Sequence, residues 1–222
     1  MMFNAEDYII RLTELLKDRF SSRLAYVGLQ GSYLRGEETE ESDIDIMVVI
    51  DGFSVCDMEA YKMAIESLEL SKKSCGFICG TEDLKNWNSL EICHLLNTTK
   101  DYFGTLTELV PKYTTEDVRS FVKLSLGNLY HELCHRFIHS EREKTVSALP
   151  HIYKSVFFIL QDLHYLESGC FMSCKKDLAE VLTGKDKLVL ETAISVSCGA
   201  EFDFDEAFDL LFTWCKEALG RF

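Results

Sequence analysis

The sequence has no apolar run long enough to cross a membrane. Its longest runs of large apolar residues are Ile46–Ile50 and Val156–Leu160, far short of the ~20 residues that a transmembrane helix needs. No charged-then-apolar signal segment opens the chain, and its nine cysteines are an odd number scattered through apolar segments. We therefore expect a protein without a membrane partner, with reduced thiols, in a cytoplasm.

Basic residues are also scarce. The chain has 23 lysines and arginines against 37 acidic residues, a formal net charge of −14. A field of this sign repels phosphate polymers, so we do not expect DNA or RNA as an extended partner. The same field attracts a small cationic molecule.

The 222 residues, 47% of them hydrophobic, are enough for one large domain or two small ones. Apolar spacing in the first half predicts helices and strands in alternation: helix Tyr8–Phe20, strands Leu24–Leu29 and Asp43–Ile50, helix Met58–Leu70, and strands Cys75–Cys79 and Leu90–Leu96. After Pro111 only helices are predicted: Thr115–Phe137, Lys144–Leu166 with Pro150 as an alternative start, Ser173–Leu182, Lys187–Val196 and Asp203–Leu219. We therefore expect an α/β (α+β) domain with a small mixed sheet over residues 1–112. An all-α helical bundle domain should follow over residues 113–222.

One segment carries a pattern typical of phosphate chemistry. Gly31-Ser32 follows a predicted strand, and Asp43-Ile44-Asp45 opens the buried strand that ends at Ile50. A Gly-Ser turn presents backbone N–H groups and a hydroxyl to phosphate oxygens. Residues i and i+2 of a strand share a face, so Asp43 and Asp45 present two carboxylates together. Such oxygen ligands suit Mg²⁺ or Mn²⁺ bound to a nucleoside triphosphate.

Two roles are open for Arg35, which lies four residues after Gly31. Its guanidinium can bind phosphate as a bidentate donor, or it can brace the turn by pairing with a nearby carboxylate. We favour bracing slightly.

The ordered segment Gly31-Ser32-Tyr33-Leu34-Arg35-Gly36 followed by Ser42-Asp43-Ile44-Asp45 resembles the DNA polymerase β-like nucleotidyltransferase superfamily. In particular it resembles the small bacterial members with a helical C-terminal domain, which include aminoglycoside- and lincosamide-modifying enzymes and nucleotidyltransferase antitoxins. The resemblance implies that Gly31 and Ser32 bind the triphosphate and that Asp43 and Asp45 hold the metal.

The same resemblance implies two further site residues. The family usually adds a third carboxylate on a later strand, as metal ligand or as the base for the acceptor hydroxyl. Since Cys75–Cys79 contains no acid, Glu91 at the head of the next predicted strand is our choice by position. A helical-domain lysine contacts the triphosphate in some of these enzymes, and Lys154 is our candidate for that role.

The resemblance implies transfer of a nucleoside monophosphate, expected to be AMP from ATP, to a hydroxyl of a small molecule, with release of pyrophosphate. The acidic surface favours a cationic acceptor such as an aminoglycoside. Two alternatives stay open: nucleotidylation of a protein, and a nucleotide-binding module without turnover. The oligomeric state also stays open, with a homodimer among the arrangements that we consider.

A second motif, His131-Glu132-Leu133-Cys134-His135, matches the His-Glu-x-x-His pattern of zinc proteases. The positions where that family places its third histidine and its glycine hold Glu141 and Ile138. His139 extends the row of histidines at four-residue steps, so a metal site on the helix face stays open, while zinc catalysis is disfavoured.

Overall fold

A computed structural model describes residues 4–222; the first three residues of the predicted first domain lie outside them. The chain divides into two compact units, Met1–Tyr113 and Thr114–Phe222.

Over residues 4–113 the first unit combines five helices with four strands. Its helices are α1 (Ala5–Phe20), α2 (Gly31–Arg35), α3 (Val55–Glu66), α4 (Thr81–Lys85) and α5 (Ser89–Asn97). Its strands are β1 (Leu24–Leu29), β2 (Ile44–Ile50), β3 (Ser74–Gly80) and β4 (Lys100–Phe103), and short 3₁₀ turns cover Ser21–Arg23, Ser71–Lys73 and Leu106–Glu108. Asn4 caps the start of α1 by accepting a hydrogen bond from the Glu6 N–H at 2.9 Å.

The four strands form one mixed sheet in the order β3-β2-β1-β4. β1 pairs antiparallel with both β2 and β4, whereas β2 and β3 are parallel. Leu29 at the end of β1 lies opposite Ile46 near the start of β2. The end of β1, with the turn that follows it, therefore lies beside the first residues of β2.

The two faces of the sheet belong to different apolar clusters. Ile44, Ile46 and Val48 pack with α1 residues such as Leu12, whereas Met47 and Val49 pack with Tyr26 and Leu84 on the other face. Because side chains alternate along a strand, Asp45 belongs to the face of Met47 and Val49. The packing of Met47 and Val49 in this cluster therefore fixes the direction in which the Asp45 side chain points.

One predicted strand is wrong. Residues 90–96 lie in helix α5, which begins after Asn88, whose side chain accepts from the Leu90 N–H at 3.2 Å. The fourth strand is instead β4, which was not predicted because its sequence, Lys-Asp-Tyr-Phe, has little apolar character. β4 is held by pairing with β1, in which Asp101 lies opposite Gly28.

The second unit is helical throughout. Its helices are α6 (Thr115–His139), α7 (Arg142–Ser168), α8 (Lys175–Val181), α9 (Gly184–Ser197) and α10 (Phe204–Leu219). Pro150 lies inside α7, so the alternative start there is wrong. Trp214 is fully buried and donates its indole N–H to Asp186 Oδ1 at 2.7 Å. The predicted class, a small mixed sheet followed by a helical region, is confirmed.

Within residues 4–222, the search for a helix of sufficient length and apolar character to cross a bilayer finds none.

Candidate active site

The turn after β1 is held against the start of β2. The Gln30 N–H donates to the Asp45 carbonyl at 2.8 Å, and Gly31 then begins α2 with φ of +72°. This backbone region strongly favours glycine. At the other end of α2, Gly36 is left-handed and the Glu37 N–H donates to the Ser32 carbonyl at 3.0 Å. Both ends of the short helix are therefore fixed by glycines and backbone hydrogen bonds.

Gly31 lies directly against the Asp45 carboxylate. A β-carbon built on Gly31 would meet Asp45 Oδ2 at 1.8 Å, a separation that only a shift of one group relieves. Gly31 of the Gly-Ser pattern thus has a geometric role. The glycine allows the backbone of the turn to approach the carboxylate as closely as it does.

The two aspartates differ in exposure. Asp43 precedes β2 and is exposed, whereas Asp45 is the second residue of β2 and is half-buried. Burial raises the pKa of Asp45, the negative charge of Asp43 raises it further, and the positive charge of Arg35 opposes both effects. Two carboxylates that repel each other this way are stabilised by a cation between them.

The donor set fits a magnesium-type ion that takes part of its shell from a ligand. Among residues 4–222 there is no group of three histidine, cysteine, aspartate or glutamate side chains that could enclose a metal. Asp43 and Asp45 can supply two carboxylates, and Mg²⁺ commonly completes its shell with water and substrate phosphates. The pair therefore suits an ion that arrives with a triphosphate better than a permanently enclosed one.

Arg35 pairs with a carboxylate of its own turn. Its Nε lies 3.0 Å from Glu37 Oε2, and the two side chains are only 14% and 18% exposed. Arg35 is also close enough to Asp45 to lower that residue's pKa. This geometry supports the bracing role. Ser32 is half-buried on α2, and its hydroxyl has no hydrogen-bond partner in the described part of the chain.

Glu91 does not lie at the position for which it was chosen as the third carboxylate. It is exposed on helix α5 rather than at the head of a strand, and it accepts a hydrogen bond from Trp87 Nε1 at 2.9 Å. It does not join Asp43 and Asp45 in a group of three metal-binding side chains, since the described residues contain no such group. Glu91 was chosen because it was predicted to begin a strand, and the structure removes that reason.

The two assignments outside this unit remain predictions. Lys154 is exposed on α7 of the second unit. The His-Glu-x-x-His motif lies on α6, where Glu132 is paired with Arg136 at 2.8 Å. The rings of His131 and His135 stack with centroids 6.0 Å apart, and no metal-binding group of three or more side chains involves them within residues 4–222.

Three polar residues that shape the turn were not identified from the sequence: Gln30, Thr99 and Glu37. Gln30 donates through Nε2 to Thr99 Oγ1 at 2.8 Å, and Thr99 in turn donates to the Leu95 carbonyl at 2.6 Å. These bonds connect the residue before Gly31 to the end of α5. Glu37 is the partner of Arg35, but it was not named from the sequence among the carboxylates near that arginine. Its position two residues after an arginine was the available signal.

Residues 9–95 match a family model described as a nucleotidyltransferase domain. The matched segment contains the Gly31 turn, Asp43, Asp45 and strands β1 to β3.

Two curated proteins of Methanocaldococcus jannaschii, both named as candidate protein adenylyltransferases, are similar to the chain. MJ1379 is 46% identical over 56 residues, which are 25% of this chain and 54% of the relative. MJ0604 is 46% identical over 48 residues, which are 22% of this chain and 48% of the relative. The chain thus spans about half the length of the curated relatives that it matches.

A solved structure shares the fold over nearly the whole chain. Spectinomycin adenyltransferase AAD(9) from Enterococcus faecialis, solved with ATP and spectinomycin, matches with a TM-score of 0.60 and 15% identity. The match covers 98% of this chain and 100% of that chain. At this identity the likeness establishes the fold alone, a small mixed sheet with helices followed by a helical region.

Proposed function

We propose that the protein is a metal-dependent nucleotidyltransferase that transfers AMP from ATP to a hydroxyl group of a small molecule. The observation that carries the proposal is the contact between the Gly31 backbone and the Asp45 carboxylate, with Asp43 two residues away. A phosphate-binding turn and a pair of metal-binding carboxylates adjoin there, which is what triphosphate chemistry requires.

Each residue of the turn has a role in this proposal. Backbone N–H groups at Gly31 and Ser32, with the Ser32 hydroxyl, bind and orient the triphosphate. Asp43 and Asp45 hold Mg²⁺ or Mn²⁺, which when bound neutralises charge on the phosphate oxygens. Arg35 keeps the turn in shape through Glu37. The acceptor oxygen forms a bond to the α-phosphorus while the bond to the bridging oxygen breaks, and pyrophosphate leaves.

Two observations favour a cationic acceptor. The structural neighbour that covers both units was solved with ATP and spectinomycin, and the net charge of −14 favours a cationic compound. We therefore favour a cationic, hydroxyl-bearing small molecule, of which an aminoglycoside is the model case. Lys154 stays a proposed phosphate ligand from the helical unit.

Protein adenylylation is the second candidate. It is favoured by the names of the two curated relatives, which are 46% identical over the segments that they share with this chain. A third, nucleotide binding without turnover, is motivated by the lack of a third carboxylate beside Asp43 and Asp45 in the described chain.

The test is nucleotide transfer with α-labelled ATP, GTP, CTP and UTP in the presence of Mg²⁺. Acceptors are a panel of aminoglycosides, spectinomycin, lincosamides and a protein extract. We expect labelled small molecule from ATP, abolished by a chelator. Asp43→Asn and Asp45→Asn should each lower the rate of nucleotide transfer by at least about tenfold to a hundredfold, the range seen when metal sites are disturbed.

Glu41→Gln is the matched control, because it removes an exposed acidic charge two residues before Asp43. Label on protein alone would favour the second candidate. ATP binding without pyrophosphate release, with every acceptor, would favour the third. Equal transfer by the wild type and both aspartate variants would refute the metal assignment.

A further inference from the structure

The second unit contains an apolar groove between helices α6 and α10, with a volume of about 380 Å³. Its apolar walls are Cys134, Phe137, Ile138, Phe208 and Phe212. Phe137 and Ile138 are 60% and 68% exposed, so two adjacent large apolar side chains face solvent at this groove. Contiguous exposed apolar surface of this kind commonly marks a binding site, and the volume lies in the range of small-molecule pockets.

Two carboxylates stand at the edge of this groove, Asp205 and Asp209, one turn apart on α10. Asp205 is paired with Arg142 at 2.7 Å. Asp209 is exposed and has no ion-pair or hydrogen-bond partner in the described part of the chain. Asp209 therefore places one negative charge at the edge of the groove without an ion-pair partner among the described residues.

The aromatic lining adds a second preference for positive charge. Phe137 and Phe208 have ring centroids 5.1 Å apart and are tilted by 37°, and both residues line the groove. Two rings of α10 already lie beside cationic side chains: Lys216 Nζ is 5.6 Å from the ring of Phe212, itself a wall of the groove, and the Arg142 guanidinium is 4.7 Å from the Phe204 ring. An aromatic ring close to an unpaired carboxylate attracts an organic cation.

We propose that this groove is a binding site for a small organic ammonium compound with an apolar body. The ammonium group lies near Asp209, and the apolar body packs on Phe137, Phe208 and Phe212. A second copy of the chain fits less well, since a protein of net charge −14 would bring a second acidic surface to the carboxylates. The inference uses only residues of the helical unit and does not depend on nucleotide transfer.

Calorimetric titration of the full chain tests the site with three probes that share an octyl chain: octyltrimethylammonium, octyl glucoside and octyl sulfate, all below their micellar concentrations. We expect octyltrimethylammonium to bind at least about threefold more tightly than octyl glucoside, the size of preference that one cation–π contact and one carboxylate provide. Octyl sulfate should bind weakest. Bound octyltrimethylammonium should also slow alkylation of Cys134, mapped by mass spectrometry, while the exposed Cys198 reacts at an unchanged rate.

Variants separate the two parts of the site. Asp209→Asn should remove the preference for the ammonium head and leave octyl glucoside binding unchanged. Phe137→Ala, at an exposed position, should weaken both probes. Controls are Glu206→Gln on α10 and Leu124→Ala on α6, which are exposed but do not line the groove. The proposal is overturned by absence of saturable binding, by equal affinity for the three probes, by an unchanged preference in Asp209→Asn, or by a dimer that occupies the groove.

Discussion

A β-carbon at Gly31 would lie 1.8 Å from Oδ2 of Asp45. The turn and the strand are joined a second time by the hydrogen bond from the Gln30 N–H to the Asp45 carbonyl. Any side chain at residue 31 therefore displaces either the backbone that is to bind phosphate or the carboxylate that is to bind metal. The phosphate-binding turn and the metal-binding carboxylate therefore both depend on the absence of a side chain at residue 31.

Gly31→Ala should consequently lose both activity and stability. The methyl group meets Asp45, and φ of +72° is strained for alanine, which costs about 1 kcal/mol or more. We expect AMP transfer to fall at least about tenfold, because a misplacement of ~1 Å at a reacting centre is costly. Transfer assays and denaturant unfolding measure the two effects.

Gly36→Ala is the control for this substitution. Gly36 has φ of +67°, yet a β-carbon there meets nothing within 4 Å. It should show the strain without the clash, and so a loss of stability with most of the activity retained. Equal loss of activity in the two variants would contradict the argument.

Asp45→Asn should stabilise the metal-free protein while it lowers nucleotide transfer by at least about tenfold to a hundredfold. Burial and Asp43 raise the pKa of Asp45 in the folded state, so the folded chain holds that proton more tightly than the unfolded chain does. Stability therefore decreases as the pH rises from the usual aspartate range, about pH 4, through the raised pKa. The asparagine removes this penalty.

Thermal unfolding with a chelator from pH 3 to pH 8 measures the effect. We expect Asp45→Asn to be more stable than wild type at pH 7, by about 0.5 kcal/mol or more, and the difference to vanish near pH 3. Glu41→Gln controls for loss of net charge. A variant that is less stable than wild type at pH 7 would show that the Asp45 carboxylate contributes to folding.

The central strands and the turn could be predicted from sequence because their signals are local. Gly31, Asp43 and Asp45 lie within fifteen residues, and the apolar residues of β2 specify burial without knowledge of the partner strands. β4 could not be predicted this way. Its pairing with β1 joins residues more than seventy positions apart, and its own sequence gives little sign of it.

Residues 90–96 were misread although a local signal was present. A short apolar run does not distinguish a buried strand from a helix. Asn88 followed three residues later by Glu91 is an N-cap pattern, and Asn88 does cap α5. Glu91 was chosen as the third carboxylate because residues 90–96 were predicted to form a strand. That choice was therefore affected by the same error.

Glu91→Gln should therefore retain activity. Glu91 is exposed on α5, and its contact with Trp87 Nε1 can be kept by the glutamine carbonyl oxygen. We expect turnover within about twofold of wild type, whereas loss of a general base costs ~10²-fold or more. Steady-state kinetics over a range of pH decide the matter. A large loss that is greatest at high pH, where the wild-type carboxylate is ionised and able to act, would restore Glu91 as the base.

Asp57→Asn should make the first unit less stable at neutral pH. Arg23 donates to both oxygens of the buried Asp57 at 3.0 and 2.8 Å, and Ser54 adds two more hydrogen bonds. These contacts lower the pKa of Asp57 to about 2. Stability from a lowered pKa is present above about pH 4 and is lost as the pH falls through the folded value.

We expect the melting temperature of Asp57→Asn to lie several degrees below that of wild type at pH 7, with the gap closing as the pH falls from about 4 to 2. Glu59→Gln, an exposed site on α3, is the control and should track wild type. A gap that stays constant over this range would mean that the charge of Asp57 is not what stabilises the fold.

The role of Arg35 can be decided by a double-mutant cycle with Glu37. If Arg35 braces the turn through its 3.0 Å contact with Glu37, then Arg35→Gln and Glu37→Gln should lower kcat/KM by similar factors. The double variant should then be no worse than either, with a coupling of ~1 kcal/mol or more. If Arg35 instead binds phosphate, Arg35→Gln alone should raise the KM for ATP. Since both side chains are largely buried, neither can lose its partner without leaving the other charge poorly solvated, and we expect the coupled result.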